Sequence, residues 1–293
     1  MIIKARTKRL IEDALKEDIG AGDITSSSIL PKKQQGKFII FCNEQCILCG
    51  ITLAEASFNM IDGNIHFRPL VKDGAQAQKA KPVAHIEGNC QAILSAERVA
   101  LNFLGWLSGI STLTGKFVEQ VKDYKAQIMD TRKTIPTLRY LQKYAVKIGG
   151  GKNHRMGLYD QVLIKDNHLA VLSEQNKTSY VKDAIERARA NASKNKQIEI
   201  EVRTIVEFKQ ALAIDPDIIM LDNMKIEQIK EAVAIRDSYR IKKQDIGFKA
   251  LLEVSGNVNL NNVKEIAACG VDRISIGALT HSAPAIDFSL KAE

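Results

Sequence analysis

The sequence predicts an α/β protein whose later two-thirds form a barrel of parallel strands wrapped by helices. Three observations carry this. Six short apolar runs fill residues 127–277, helical patterns lie between most of them, and nearly every run ends in a polar or charged group. Alternating strand and helix produces a parallel sheet. In α/β barrels the C-terminal ends of the strands share the face that holds the chemistry.

The runs, in order, are Gln127–Asp130 leading into Thr131-Arg132-Lys133, Val162–Ile164 into Lys165-Asp166, and Ile198–Ile200 into Glu201. Ile218–Leu221 then leads into Asp222-Asn223, Ala250–Val254 into Ser255-Gly256-Asn257, and Arg273–Ile276 into Gly277. Helical periodicity is read over Pro136–Ile148, Ser179–Ala190, Ile205–Ala213, Ile226–Ile235 and Leu260–Ala268. Pro136 is expected near the first helical position, where its missing N–H costs nothing. Six strands fall short of the usual eight, so the expected barrel is incomplete or irregularly closed.

The N-terminal third has another texture. A helix is expected at about Thr7–Glu17, then a turn-rich stretch from Glu17 to Thr25, strands at Lys37–Cys42 and Pro82–Ile86, and a helix at Leu53–Met60 between them. Strand and helix without a βα repeat suggest an α+β sandwich. Two helical patterns follow, Ile93–Leu107 and Ser111–Lys122. The expected division is an N-terminal domain over 1–110, joined by the tail at about 280–293, and a barrel over 111–279.

Composition excludes several classes. Apolar residues make up 45% and charged residues 26%, as in ordinary globular domains. No apolar run approaches a bilayer span, and Met1-Ile2-Ile3-Lys4 does not open a signal peptide, so a cytoplasmic protein without membrane association is expected. The net charge of +8 comes from scattered lysines such as Lys32-Lys33 and Lys242-Lys243, with only 5% aromatics, so no nucleic-acid platform is visible. A cationic pocket for a small polyanion fits as well. Cys42, Cys46 and Cys49 lack a fourth ligand at metal-site spacing and read as reduced, partly buried thiols.

The strand tips carry the chemistry. Arg132 and Lys133, side by side at a strand exit before a helix, offer a bidentate guanidinium and a mobile ammonium to a carboxylate or phosphate. Gly149-Gly150-Gly151 marks a sharp bend or a close approach to a ligand, and His154-Arg155 just after it offers a second anion site. Lys165 reads equally as a Schiff-base lysine or an anion ligand. Glu201 and Asp222 suit Mg²⁺ held for a phosphorylated substrate, stabilisation of a developing positive charge, or plain salt bridges. Ser255-Gly256-Asn257 and Ile276-Gly277-Ala278 stand where many barrels bind phosphate through backbone N–H groups.

Taken together, several stretches resemble one family. They are Thr131-Arg132-Lys133-Thr134-Ile135-Pro136, Lys143-Tyr144-Ala145-Val146, Gly149–Gly151 with Asn153-His154-Arg155, and Leu163–His168. Met220–Asn223, Glu253–Asn257, Gly277–Ser282, Ala96-Glu97-Arg98 and the Glu17–Thr25 turn belong to the same set. This combination is similar to quinolinate phosphoribosyltransferases, the decarboxylating enzymes of de novo NAD synthesis, over almost the whole chain.

The resemblance implies an N-terminal α/β sandwich plus an incomplete six- or seven-stranded α/β barrel. It also implies a homodimer, or a multiple of dimers, with shared active sites and Arg98 reaching into the partner's site. The implied substrates are quinolinate and phosphoribosyl pyrophosphate (PRPP), with Mg²⁺ accompanying PRPP and no organic cofactor. Arg98, Thr131, Arg132, Lys133, His154, Arg155 and Lys165 are then expected on the substrate carboxylates and pyrophosphate. Glu201 and Asp222 are expected on Mg²⁺ or ribose hydroxyls, and Ser255, Gly256, Asn257 and Gly277 on the 5′-phosphate. Lys133, Lys165, Glu201 and Asp222 form the expected catalytic set. Two positions depart from the family's usual glycines, Thr137 and Asn257. The rival readings are a related phosphoribosyltransferase acting on nicotinate, or one like the paralogue found near molybdate-transport systems. An aldolase forming a Schiff base on Lys165 is the rival from another reaction class.

Overall fold

The computed structural model describes residues 4–174, 179–242, 248 and 250–293; Met1–Ile3 and Lys243 of the stretches read above lie outside them. The chain forms two compact units. The first comprises Met1–Gly115, Tyr144–Gly150 and Ser282–Glu293, the second Lys116–Lys143 and Gly151–His281.

In the first unit, β1 (Gln35–Cys42), β3 (His66–Pro69), β5 (Lys81–Asn89) and β12 (Phe288–Ala292) form an antiparallel sheet in the order β12-β1-β5-β3. Alternate residues of β1 (Phe38, Ile40 and Cys42) are buried, the pattern of a sheet with one covered face. The chain's last strand therefore pairs with its first, Phe38 opposite Ala292 and Cys42 opposite Phe288. A short ladder of β2 (Cys46–Ile47) and β4 (Gln76–Ala77) accompanies helices Ala5–Ile19, Ile24–Ile29 and Ile51–Ile61. The helix at Ile24–Ile29 falls at the end of the stretch read as turns. Asp23 caps it by accepting from Ser26 N at 3.0 Å.

The two helical patterns read after residue 90 are one helix, Cys90–Gln120. Gly105 and Gly109 do not break it, because they sit where the C-terminal tail crosses its face. A Cβ on Gly109 would lie 2.0 Å from Pro284 O, and one on Gly105 would lie 2.6 Å from Ile286 O. The triple glycine also has a packing reason. A Cβ on Gly149 would meet Ser111 O at 2.3 Å, and Gly150 has φ +91°.

In the second unit, β6 (Gln127–Met129), β7 (Val162–Ile164), β8 (Ile198–Val202), β9 (Ile218–Asp222), β10 (Leu251–Ser255) and β11 (Arg273–Ser275) form one parallel sheet. Its order is β6-β11-β10-β9-β8-β7, so the last strand closes on the first and the sheet opens between β6 and β7. Lys152 partly fills that gap: its N–H donates to Ile128 O at 2.8 Å, and its carbonyl accepts from Asp130 N at 3.1 Å. Among the described residues this is an isolated parallel bridge, Met129 with Lys152, outside the six strands. The architecture is the expected mixed one, an antiparallel sheet unit and an unclosed, six-stranded parallel barrel.

All five residues of β8 are buried, as in parallel strands covered on both faces. Crossover helices run at Asp166–Ser173, Tyr180–Asn191, Ile205–Ile214, Ile226–Lys242 and Val263–Ala268. Thr204 and Glu207 form a capping box that starts Ile205–Ile214, and Glu207 also accepts from Arg203 N at 2.8 Å. The helix read from Pro136 begins three residues later, at Arg139. Pro136 and Thr137 instead occupy the middle of a turn in which Leu138 N donates to Ile135 O at 3.1 Å.

Candidate functional site

Every strand of the parallel sheet delivers residues to one cavity of about 450 Å³ at the C-terminal ends. Twelve residues expected at a site line it: Thr131, Arg132, Lys133, His154, Arg155, Lys165, Glu201, Asp222, Ser255, Gly256, Asn257 and Gly277. Arg98 is not among its walls. It lies on helix Cys90–Gln120 in the first unit, exposed, with its guanidinium 3.8 Å from Glu97.

The rim is cationic. Thr131 Oγ1 accepts from Lys133 N at 3.0 Å and shapes the β6 exit. The buried Gln142 ties that loop down, accepting from Ile135 N at 2.7 Å and donating to Thr280 O at 2.6 Å. Arg132 Nε is buried with no hydrogen-bond partner among the described residues. Arg155 is buried and donates to Gln161 O at 3.1 Å. Burial, and then the neighbouring Arg132, push its pKa down. Gly277 leaves room for Lys133, whose Cδ would lie 2.9 Å from a Cβ there.

Lys165 lies just before helix Asp166–Ser173 and donates to Glu201 Oε2 at 2.9 Å. Glu201 is buried, while the Lys165 side chain stays half exposed. Asp222 Oδ2 accepts from Asn223 Nδ2 at 3.0 Å and from Arg203 Nε at 3.3 Å. Arg203 also pairs with Asp166 at 2.7 Å, so it links the exits of β7, β8 and β9.

Beneath the rim lies a set of charges that the sequence reading passed over. Glu199 on β8 and Glu253 on β10 are fully buried, and His154 Nε2 stands 3.0 Å and 3.5 Å from their carboxylates. Gln161 Nε2 donates to Glu199 at 2.7 Å, Ser275 Oγ donates to Glu253, and Arg273 stands 4.0 Å from Glu253. Burial works against a charged imidazole, but the two carboxylates outweigh it and push His154 up to about 9. Burial, then Glu253, raises Glu199. The donor atoms of this trio lie within 4.8 Å of one another, as in a metal site. His154 Nε2 faces the two carboxylates, while its Nδ1 accepts from Arg155 N at 2.7 Å.

A second buried pair holds the His154 loop. Lys143 Nζ donates to Asp130 Oδ1 and, at 2.9 Å, to His154 O; Asp130 Oδ1 also accepts from His154 N at 2.9 Å. The signal was present in sequence, because a glutamate inside an apolar parallel strand, as in Ile198-Glu199-Ile200 or Leu252-Glu253-Val254, needs a buried partner. Asn223 and His281 line the cavity as well and were not singled out as site residues.

Residues 110–291 match the quinolinate phosphoribosyl transferase C-terminal domain, and residues 23–108 match the N-terminal domain. A probable nicotinate-nucleotide pyrophosphorylase [carboxylating] of Methanocaldococcus jannaschii is 43% identical over 291 residues, covering 99% of this chain and 98% of that one. The nicotinate-nucleotide pyrophosphorylase [carboxylating] of Mycobacterium leprae is 38% identical over 283 residues, covering 96% and 95%. Among solved structures, a nicotinate-nucleotide pyrophosphorylase from Ehrlichia chaffeensis superposes with a TM-score of 0.88 at 41% identity, covering all of both chains. Two matched domains and full-length relatives, together with the unclosed parallel barrel, place this chain in the quinolinate phosphoribosyltransferase family.

Proposed function

We infer that this protein transfers the phosphoribosyl group of PRPP to quinolinate and that decarboxylation yields nicotinate mononucleotide, pyrophosphate and CO₂, a step of NAD synthesis. The observation that carries the reading is the cavity's charge. Arg132, Lys133, Arg155 and Lys165 converge in a chain whose two domains both belong to this family. Quinolinate brings two adjacent carboxylates and PRPP several phosphate charges, and a preorganised cationic cleft stabilises them without reorganisation. The buried, unpartnered Nε of Arg132 is the kind of donor that an anionic ligand satisfies.

In this reading Arg132, Arg155 and Lys165 hold the carboxylates, with Thr131 and His154 shaping their end of the site, and Lys133 meets the pyrophosphate. Ser255, Gly256, Asn257 and Gly277 take the 5′-phosphate at the ends of β10 and β11. Glu201 and Asp222 face the ribosyl carbon, where positive charge develops as pyrophosphate leaves. After transfer the positively charged pyridinium nitrogen stabilises the carbanion left on the adjacent ring carbon as its carboxylate departs as CO₂, and that carbon takes up a proton from solvent to give nicotinate mononucleotide, so decarboxylation needs no organic cofactor.

Mg²⁺ arrives as part of the Mg–PRPP substrate. Glu201 and Asp222 fit it as hard oxygen donors at neighbouring strand ends. The reading includes a homodimer in which the exposed Arg98 of one chain serves the cavity of the other. It also places the enzyme in the cytoplasm, a setting that suits its five free cysteines. No helix of the described residues is long and apolar enough to cross a membrane.

Purified protein, Mg²⁺, PRPP and quinolinate together should yield nicotinate mononucleotide and CO₂. Product from nicotinate but not quinolinate would overturn the acceptor, and borohydride trapping of a substrate on Lys165 would favour an aldolase. Mixing Arg98→Ala and Arg132→Ala chains should restore part of the activity lost by each. Complete failure to complement would remove the shared site.

A further inference from the structure

At the ends of β9 and β10 two asparagines occupy backbone conformations that L-residues rarely adopt. Asn223 has φ +54° and Asn257 φ +52°, with Gly256 between strand and turn at φ +98°. Asparagine is the non-glycine residue that tolerates this region best. Its side chain also bonds locally there, and these two bond to each other. Asn257 Nδ2 donates to Asn223 Oδ1 at 3.0 Å, and Asn223 Nδ2 donates to Asp222 Oδ2 at 3.0 Å.

The direction of this chain follows from its end group. An ionised carboxylate only accepts, so Asn223 must turn its amide N–H₂ to Asp222 and its carbonyl oxygen to Asn257. Asn257 must then present its own N–H₂. The backbone runs parallel to this link, since Asn223 N donates to Ser255 O at 2.9 Å. Gly256 leaves room for it, because a Cβ there would lie 2.2 Å from Asn223 Oδ1. The far side is held by Asn262, whose Nδ2 donates to Asn257 O at 3.0 Å. Asp222, Asn223, Gly256 and Asn257 all line the cavity.

We propose that Asn223 and Asn257 are positioning residues that lock the Ser255–Asn257 turn to the Asp222 carboxylate, so that a phosphate engaging the turn also orients Asp222. The proposal rests on the reading above that this turn receives the 5′-phosphate of PRPP. It gives Asn257 a role in binding through its side chain, beyond a backbone contact. It also makes affinity for PRPP, and not for the dicarboxylate, the quantity the link controls.

Asn223→Gly and Asn257→Gly test this, because glycine keeps φ positive at no steric cost and removes only the side-chain bonds. Each variant should bind Mg–PRPP about five- to tenfold more weakly by calorimetry, the loss expected for a hydrogen bond in a chain ending on a charged group. KM for PRPP should rise by a similar factor and exceed any fall in kcat, with KM for quinolinate unmoved. The double variant should be no worse than Asn223→Gly alone, because both changes break one chain. PRPP affinity equal to the parent's in Asn257→Gly, or a double-variant defect equal to the product of the single ones, would overturn the link. Thermal melting near the parent's excludes a folding defect. An unmodified protein that makes no product from PRPP and quinolinate would sink the function itself, which is a separate outcome.

Discussion

The floor and the rim of the cavity both consist of charged groups, yet they are built on opposite principles. On the floor, Asp130, Lys143, His154, Glu199 and Glu253 are all less than a tenth exposed, and each charge has an opposite charge in contact or nearby. On the rim, Lys133, Lys165 and Arg203 are exposed while Arg155 and Glu201 are buried, and the cations Arg132, Lys133, Arg155 and Lys165 outnumber the carboxylates Glu201 and Asp222. A buried charge without a partner is costly, so the floor has to be neutralised by the fold itself. A rim open to water can carry a surplus, and that surplus is what an anionic substrate meets. Substitutions on the floor should therefore register in stability, and substitutions on the rim in activity.

The largest effect is expected from breaking the floor at Lys143. Lys143→Ala leaves Asp130 buried and unpaired, which should cost about 3–5 kcal/mol of unfolding free energy. Asp130 already feels burial, which raises its pKa against the opposing pull of Lys143. Urea titration reads the loss directly. A drop below about 1 kcal/mol would mean that the His154 loop and the β6 exit hold together without the pair.

Next comes the pH dependence of the same floor. The folded chain holds the His154 proton up to about 9, whereas a free imidazole releases it near 6.5. The associated stability is complete below about 6.5 and is lost as pH rises through about 9, up to roughly 3 kcal/mol in all. Raised Glu199 acts in the same sense, since a proton kept longer by the folded chain favours folding at the lower pH. Urea midpoints from pH 6 to 9.5 should fall in the parent, and Glu199→Gln should flatten the slope. Equal slopes would separate His154 from Glu199.

On the rim the expectation reverses. Arg132→Ala should reduce kcat/KM by about a hundredfold, near 3 kcal/mol of transition-state binding. Lys165→Ala should do the same. Unfolding free energy should move by less than about 1 kcal/mol at the exposed Lys133, which leaves no buried carboxylate behind, and by more at Lys165, whose loss strips buried Glu201 of its 2.9 Å partner. A rim substitution that unfolds the protein while sparing turnover would erase the distinction.

The rim was legible in the sequence, whereas of the floor only His154 was singled out as a site residue, and the difference has a physical source. Rim residues follow an apolar run directly, as Lys165 follows Ile164 and Asp222 follows Leu221, so the strand pattern alone collects them on one face. Floor residues interrupt or lie between the runs. Glu199 and Glu253 sit inside strands, and Lys143 sits on a helix; their partners come from 11 to 99 residues away in the chain. No local pattern encodes such a pairing. Element boundaries failed for a related reason. The patterns Ile93–Leu107 and Ser111–Lys122 read as two helices where one runs through, with the C-terminal tail packed over Gly109 between them, and Pro136 reads as a helix start until the following turn is seen.

That turn supplies the smallest effect and the finest test of the rim. Ile135-Pro136-Thr137-Leu138 closes with the Leu138 N to Ile135 O bond, and Thr137 takes the third position at φ +66°. Proline second and positive φ third is the signature of a type II turn, where glycine is the favoured third residue. A β-branched threonine there carries roughly 1–2 kcal/mol of steric strain, while glycine would give back about 0.5–1 kcal/mol in unfolded-chain entropy. Thr137→Gly should therefore raise the urea midpoint by up to about 1 kcal/mol equivalent, with an unchanged slope. The turn follows Arg132 and Lys133 directly and precedes the helix that carries Gln142 and Lys143. If turnover falls while stability rises, threonine's strain helps to set the β6 exit; if both hold or rise, it is a tolerated departure in the loop. A lower midpoint would show that the threonine side chain contributes more than its backbone costs.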